Sequence, residues 1–230
     1  MDIILKRIEP TFLLAVIGTV ISVIIGIPLG VVSAKHHGDH IEKIISLLSL
    51  ISISIPAFWI AIIMIQMFGV KLQLFPVAGY HNISSYGIGT ALNDLILPGI
   101  ILGIMNSGQI GRMTKSSMLD ILKQDYLRTA RASGMKENKV IYYFGLKNAM
   151  ASILVVIGFS FAGLLAGAVV IEQIFNIPGI GNLAITSILK RDYPVIQGIL
   201  LFIAMIFIIV NMVTDILCVA VNPRIRYEDE

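Results

Sequence analysis

The segment KHHGDHIEK, near the start of the chain, holds several residues that could bind a metal. His36, His37, Asp39 and His40 would supply nitrogen and oxygen donors, which suit a transition metal. A metal-dependent membrane enzyme is therefore one alternative for the function. We favour a solvated polar turn, because the segment is short and lies between two apolar runs.

The sequence offers little for nucleotide or ion-coupled chemistry. It contains no GxxxxGK[ST] motif, and so no phosphate-binding loop of that kind. A secondary transporter or channel, a second alternative, would need ionisable residues in the middle of its spans. Only Glu172 and Asp215 lie near the ends of apolar segments. We expect Glu172 to anchor a loop or an interface, and Asp215 to pair with a basic residue near the inner surface.

A charged stretch, DYLRTARASGMKENKV at Asp125–Val140, interrupts the apolar sequence. The residues before Gly134 are mostly good helix formers, and a glycine just past a helix end suits a left-handed backbone. Helical spacing resumes after it, with Val140, Tyr143 and Phe144 on one side. The stretch therefore predicts a helix, a turn and a second helix.

The first of these two helices has a low-relief face with charge around it. Ala130 and Ala132 are small, and Arg128, Arg131 and Lys136 surround them. Such a projection fits a groove on another protein. A basic loop without a partner, which only fixes orientation in the membrane, explains the same residues. The residues by themselves favour neither interpretation.

The elements that must position these residues are membrane spans. Of the 230 residues, 57% are hydrophobic and 13% are charged. A water-soluble domain cannot bury so much apolar surface, and the net charge of +3 gives no indication of a nucleic-acid partner. The sequence predicts one domain over 10–219, with five spans in the lipid bilayer at about 11–34, 44–70, 95–113, 149–171 and 193–219.

The charge distribution predicts how the spans are oriented. Twelve Lys and Arg residues follow the first, third and fifth spans, whereas five lie on the other side. The positive-inside rule places the twelve, and with them the loop 112–148, in the cytoplasm. Met1 then lies outside, which leads us to expect a further span upstream in the natural chain. Residues 72–93 are rich in Pro, Gly, Asn and Ser, so a loop is expected there.

Four residues within the spans are candidates for bending or packing helices. Pro56 should bend the second span, and Pro28 lies in the first. Gly163 and Gly167 are four residues apart, a spacing that allows two helices to approach closely.

Several motifs along the chain resemble permeases of binding-protein-dependent ABC importers, most closely the dipeptide, oligopeptide and nickel branch. The charged stretch DYLRTARASGM is similar to that branch's DYVRTARAKGL. Thr129-Ala130-Arg131 stands where the general family has Glu-Ala-Ala, and Leu146-Lys147 replaces its Leu-Pro, as is usual in this branch. Other similar segments are IGIPLGVVSA (25–34), SIPAFWIAI (54–62), FPVAGY (75–80), GAVVIEQIFNIPGIGNL (167–183), RDYPVIQG (191–198) and VNPRIR (221–226).

The resemblance implies a fold and a set of functional residues. The fold would be the all-α transmembrane domain of a type I ABC importer, with five helices and a cytoplasmic helix-turn-helix coupling loop seated in a groove of an ATPase. The implied coupling residues are Asp125, Tyr126, Arg128, Thr129, Ala130, Arg131, Ala132 and Gly134. Glu172, Pro178, Gly179 and Gly181 are candidates for the pathway or the outer loop.

The resemblance also implies partners and a location. Two permease subunits would form the pathway, two ABC ATPases would bind ATP and Mg²⁺, and an external binding protein would deliver peptides, nickel or metal chelates. This chain would bind no cofactor and catalyse no reaction, and it would be a multi-pass protein of a prokaryotic cell membrane. Family members usually carry an additional first span, so a truncated, non-transporting subunit is a further alternative.

Overall fold

The computed structural model describes residues 2–166 and 168–221, and long helices dominate this part of the chain. The long helices are α1 (Asp2–Lys35), α2 (His40–Ser54), α5 (Ile88–Leu122), α8 (Lys147–Leu165) and α11 (Tyr193–Val221). Shorter helices are α3 (Ala57–Met64), α4 (Ile83–Tyr86), α6 (Asp125–Ala132), α7 (Glu137–Lys139), α9 (Val169–Ile174) and α10 (Ile180–Leu189). π-Helical turns continue α3 over Ile65–Lys71 and join α7 to α8 over Val140–Leu146.

The length and apolar character of these helices give the five spans that the sequence predicts. Within the described residues, α1, α5, α8 with its flanking turns, and α11 are each long and apolar enough to cross a bilayer. The pair formed by α2 and by α3 with its π-helical turn is apolar enough to be a further span, although its two halves are bent by 94° relative to each other. The prediction of an all-α membrane protein is confirmed, with four spanning helices in the described residues, or five if the bent pair is counted as one span.

The centre of the bundle is the contact between α1 and α5, where glycines allow the two backbones to meet. A Cβ added to Gly26 would stand 2.8 Å from the carbonyl oxygen of Ser107, and one added to Gly30 would stand 2.5 Å from that of Gly111. A larger residue at either glycine would force the helices apart. This contact also fixes the register, so that Gly26 in α1 lies level with Ser107–Ile110 in α5.

The second span bends at Pro56, which directly precedes α3. Proline lacks a backbone N–H and disfavours a helical conformation of the residue before it. Ile55 accordingly adopts an extended backbone with ψ of 129°. Pro28, by contrast, lies inside α1, which continues through it without a break.

Three predicted boundaries differ from the structure. α5 covers Ile88–Leu122, so it exceeds the predicted span 95–113 at both ends and includes the start of the predicted loop 112–148. Once formed, a helix extends past the lipid where the following residues are good helix formers. The predicted span 149–171 contains α8, which ends at Leu165, and the beginning of α9 at Val169. The predicted loop 72–93 contains α4 and the beginning of α5.

The connecting segments sort into two ends of the bundle. We call one of them the basic end. There, the Lys35 ammonium donates to the Asn138 side-chain oxygen at 3.3 Å, and the Lys115 ammonium lies 2.6 Å from the Glu42 carboxylate. At the opposite end, Glu9 and Thr11 of α1 contact the segments around Tyr80 and Ile180. The residues of the charged stretch therefore lie together with the ends of α1 and α5.

Candidate coupling surface and the supports at the two ends

The charged stretch forms a helix, a left-handed turn and a second helix, as its composition predicts. α6 covers Asp125–Ala132, and Gly134 follows it with φ of 79°. The Met135 N–H donates to the Ala130 carbonyl at 3.3 Å, and the Gly134 N–H donates to the Arg131 carbonyl at 3.0 Å. These two bonds define a Schellman motif, which requires the left-handed residue at this position.

Arg131 fastens this turn to both neighbouring helices. Its guanidinium lies across from the Glu137 carboxylate, with Nη2 3.1 Å from Oε1 and Nε 3.2 Å from Oε2. Its Nη1 donates to the carbonyl oxygen of Leu122 at 3.3 Å. Leu122 is the last residue of α5, where carbonyl groups lack partners within the helix. Arg131 therefore positions α6 against α5 and α7, a role that its place in the sequence does not reveal.

The buried side of α6 packs against the basic end of the bundle. Leu127 has no exposed surface, and neither has Val140 at the start of the π-helical turn. Gly145, in the same turn, lies so close to Met118 that an added Cβ would stand 3.1 Å from its methyl carbon. The loop therefore packs against the inner end of α5 and continues into α8.

The outward side of α6 is small and polar. The Asp125 and Arg128 side chains are 96% and 76% exposed and lie 3.6 Å apart. Ala132 is exposed and Ala130 is partly buried, so the face between the charges has little relief. Large exposed side chains lie in α6 and in the segments that follow it: Tyr126, Met135, Tyr142 and Tyr143. Exposed aromatic and Met side chains bordered by polar and charged residues are typical of a surface that contacts another protein.

The structure thus brings all eight predicted coupling residues onto one element. The seven residues from Asp125 to Ala132 in that set lie in α6, and Gly134 ends it. The Thr129 hydroxyl bonds within α6 itself, because it donates to the Asp125 carbonyl of the same helix at 3.1 Å.

At the opposite end, Glu172 anchors the start of α10. This side chain has no exposed surface. Its carboxylate accepts the Thr11 hydroxyl at 2.7 Å and the Asn182 N–H at 2.9 Å, and the Thr11 oxygen accepts the Ile180 N–H at 2.9 Å. Ile180 and Asn182 belong to the first turn of α10, whose N–H groups need partners from outside the helix. Glu172 therefore joins α1, α9 and α10 from a fully buried position.

The segment Pro178–Gly181 is shaped by this buried carboxylate. A Cβ at Gly179 would overlap the Glu172 carboxylate, and one at Gly181 would stand 2.8 Å from Val169. The Gly179 N–H donates to the Ile177 carbonyl at 2.9 Å, which closes a tight turn around Pro178. The two glycines are therefore needed for close approach.

A second polar cluster at this end is not indicated by any motif of the sequence. The Tyr80 hydroxyl donates to Glu9 at 2.5 Å, and the His81 ring and backbone nitrogens each lie 2.9 Å from Asp94. Burial, and then the bond to Glu9, raise the pKa of Tyr80 above its ordinary value. Glu9 and Asp94 are acidic residues at the edges of apolar segments, which is the only signal that could have indicated them. The cluster fastens the loop before α4 to α1 and α5.

The potential metal ligands near the start of the chain form two separate pairs. His36 lies 3.3 Å from Asp39, and His37 lies 3.1 Å from Glu42. In residues 2–166 and 168–221, no group of three potential ligands comes together. His36 and His37 lie in the polar turn between α1 and α2, and His40 begins α2, so the metal-enzyme alternative has no geometric support in this segment.

Other candidate residues have the following positions. Asp215 is exposed beside Asn211 and Phe159, and among the described residues it has no basic partner. No atom of the described chain lies within 4 Å of a Cβ added to Gly163, so no helix of this chain packs closely there. Gly167 lies outside the described residues, as do Arg224 and Arg226.

The fold and this surface define a class of protein: a multi-pass, all-helical membrane subunit that presents a rigid helix-turn-helix at its basic end. Residues 26–227 match the family model of the binding-protein-dependent transport system inner membrane component. The chain belongs to this family and is the permease component of a binding-protein-dependent ABC importer. The resemblance noted in its motifs is confirmed.

Relatives with similar sequences are bacterial permeases. A putative peptide transport system permease protein of Brucella abortus is 41% identical over 223 residues, which are 97% of this chain and 71% of the relative. The oligopeptide transport system permease protein AppB of Bacillus subtilis is 39% identical over 227 residues, covering 98% and 72%. The glutathione transport system permease protein GsiC of Escherichia coli is 37% identical over 227 residues, covering 99% and 71%.

A solved structure shares the fold. The chain matches the inward-facing MetNI methionine ABC transporter with a TM-score of 0.74, over 96% of this chain and 97% of that chain. The sequences are 17% identical, so this likeness concerns the fold alone.

Proposed function

We propose that this chain forms half of the membrane pathway of an ATP-driven peptide importer, with α6 and its turn as the element that receives force from an ATPase. The observation that carries the proposal is the attachment of α6. It is held to the end of α5 through Arg131, and the chain runs from its turn through α7 and the π-helical turn directly into α8.

This attachment would transmit motion in a defined way. A partner that grips the exposed face of α6 cannot move it alone, because Leu127 is buried against the bundle. A displacement of α6 would instead tilt α5 and α8 together, as a rigid body. Since α5 also packs tightly on α1, the pathway side of the subunit would move with the loop.

The source of energy would lie in other subunits. Two cytoplasmic ATPases would bind ATP and Mg²⁺, whereas this chain would bind no cofactor. The basic end would face the cytoplasm, in agreement with the positive-inside rule. A second permease subunit would complete the pathway, and an external binding protein would dock at the opposite end, where Glu172 and Asp94 hold the loops in place.

Peptides are the substrate class that the relatives support. The three relatives described above are named for peptide, oligopeptide and glutathione transport, and none of the three is named for nickel. We therefore propose peptides as the transported class, ahead of nickel or metal chelates.

Reconstitution into proteoliposomes tests this function. The vesicles would contain this chain, the neighbouring permease and both ATPases, and the binding protein would be added with radiolabelled peptide. We expect uptake that requires both the binding protein and internal ATP. Uptake driven by a proton gradient without ATP would show a secondary transporter, and no uptake by the fully assembled complex would show a non-transporting subunit.

A further inference from the structure

The inner half of α5 carries a row of exposed polar side chains. Gln109, Arg112, Ser116 and Asp120 follow one another at intervals of three and four residues, and all four are exposed. This spacing places them on one face of the helix. Among the described residues, none of the four makes a side-chain hydrogen bond or ion pair. We call this face the α5 stripe.

The α5 stripe lies partly within the membrane. Lys115, which pairs with Glu42 in α2, lies at the basic end of the bundle. Gln109 precedes Lys115 by six residues, or about 9 Å at 1.5 Å per residue. A polar side chain at such a depth needs water or a protein partner, because lipid tails offer no hydrogen bonds.

Another exposed face at the same depth has the opposite character. Gly26 of α1 lies level with Ser107–Ile110, so Ile24 and Pro28 of α1 stand at about the height of Gln109. Ile24 is 65% exposed, and the exposed residue one turn before it is Val20. The exposed face of α1 is therefore apolar where that of α5 is polar. The α1 face is suited to lipid, whereas the α5 face needs water or a protein partner.

We propose that the α5 stripe lines the water-filled inner half of the substrate pathway, where Arg112 presents a positive charge to the carboxylate groups of departing peptides. This inference rests on the proposed function for the identity of the substrate. Its geometric part, an exposed polar face at the depth of Gln109, rests on the structure alone. A guanidinium is a strong partner for a carboxylate, and in water the pairing is weak enough to release the peptide.

Cysteine labelling tests the proposal in the assembled complex. The one natural cysteine, Cys218, is replaced by Ala, and single cysteines are placed at Gln109, at Ser116 and, as a lipid-facing control of matched depth, at Ile24. Inside-out vesicles without nucleotide are treated with an impermeant sulfonate thiol reagent. We expect Gln109→Cys to react at least about tenfold faster than Ile24→Cys, because the reactive thiolate does not form in lipid.

The charge of Arg112 is tested separately, by comparing the labelling rates of an anionic and a cationic thiol reagent. One helical turn separates it from Gln109, so an anionic reagent should label Gln109→Cys about fivefold faster than a cationic reagent of similar size. This preference should disappear in Arg112→Gln. Ser116→Cys serves as the second variant if Gln109→Cys does not assemble. Labelling of both stripe cysteines no faster than Ile24→Cys, or an unchanged charge preference in Arg112→Gln, would overturn the proposal whatever the complex transports.

Discussion

Replacing Gly134 with Val is expected to reduce peptide-stimulated ATP hydrolysis by about tenfold or more, because a left-handed backbone costs a residue with a Cβ about 1–2 kcal/mol and β-branching adds to this. Gly134 has φ of 79° and closes the Schellman motif after α6. Apart from its two chain neighbours, no described residue has an atom within 4 Å of a Cβ added to Gly134, so the penalty comes from the backbone and not from a clash. The turn would open, and α6 would rotate away from the position set by Arg131. The measurement is ATP hydrolysis by the reconstituted complex, with the subunit content determined in the same preparation.

Two companion variants separate this mechanism from a general loss of folding. Gly134→Asn should keep most of the activity, since Asn tolerates the left-handed conformation. Ala130→Glu should act as Gly134→Val does, because it places bulk and an unpaired carboxylate on the low-relief face of α6. Lys71→Ala, at the opposite end, should couple normally. If Gly134→Val and Ala130→Glu both couple like the wild type, the loop only fixes orientation.

Replacing Gly179 with Ala is expected to destabilise the opposite end of the subunit by about 2–4 kcal/mol, through overpacking and the loss of charged hydrogen bonds. The new methyl group would overlap the Glu172 carboxylate, which is fully buried and caps α10. Glu172 would then have to leave either Thr11 or the Asn182 N–H. The measurement is the apparent Tm of the detergent-solubilised complex, which should fall by about 5 °C or more.

Gly89→Ala is the matched control for this variant. Gly89 also lies at the opposite end, in the first turn of α5, and a Cβ added there meets no atom within 4 Å. Its Tm should equal or slightly exceed that of the wild type, since Ala favours helix over Gly. A Tm of Gly179→Ala as high as that of Gly89→Ala would show that Glu172 does not hold α10 in the way described.

The sequence predicts the local features of the coupling surface well, and the reason is that they depend on backbone chemistry. Gly134 lies at a helix end with a left-handed φ, and the second span bends at Pro56, because glycine and proline act on their own backbone. The positions of the spans follow from the lengths of the apolar segments. Helix ends were harder to predict, since α5 continues past its apolar part to Leu122.

Contacts between residues far apart in the chain could not be read from the sequence. The bond of Thr11 to Glu172 joins residues 161 positions apart, and that of Tyr80 to Glu9 joins residues 71 apart. The role of Arg131 was also not predicted, because its partners depend on the angle between α6 and α7 and on the end of α5. The polar residues of the α5 stripe could be recognised as one exposed face only from the structure, which shows that neighbouring residues of α5 are buried.

The most direct test of the account is to identify what touches the exposed face of α6. A photoreactive phenylalanine at Arg128, whose side chain is 76% exposed, would be activated in the assembled complex, with the same residue at Lys71 as the control at the opposite end. We predict a covalent product with an ATPase subunit from Arg128 and none from Lys71. No ATPase product from Arg128, or equal amounts from both positions, would contradict the claim that α6 is the coupling element.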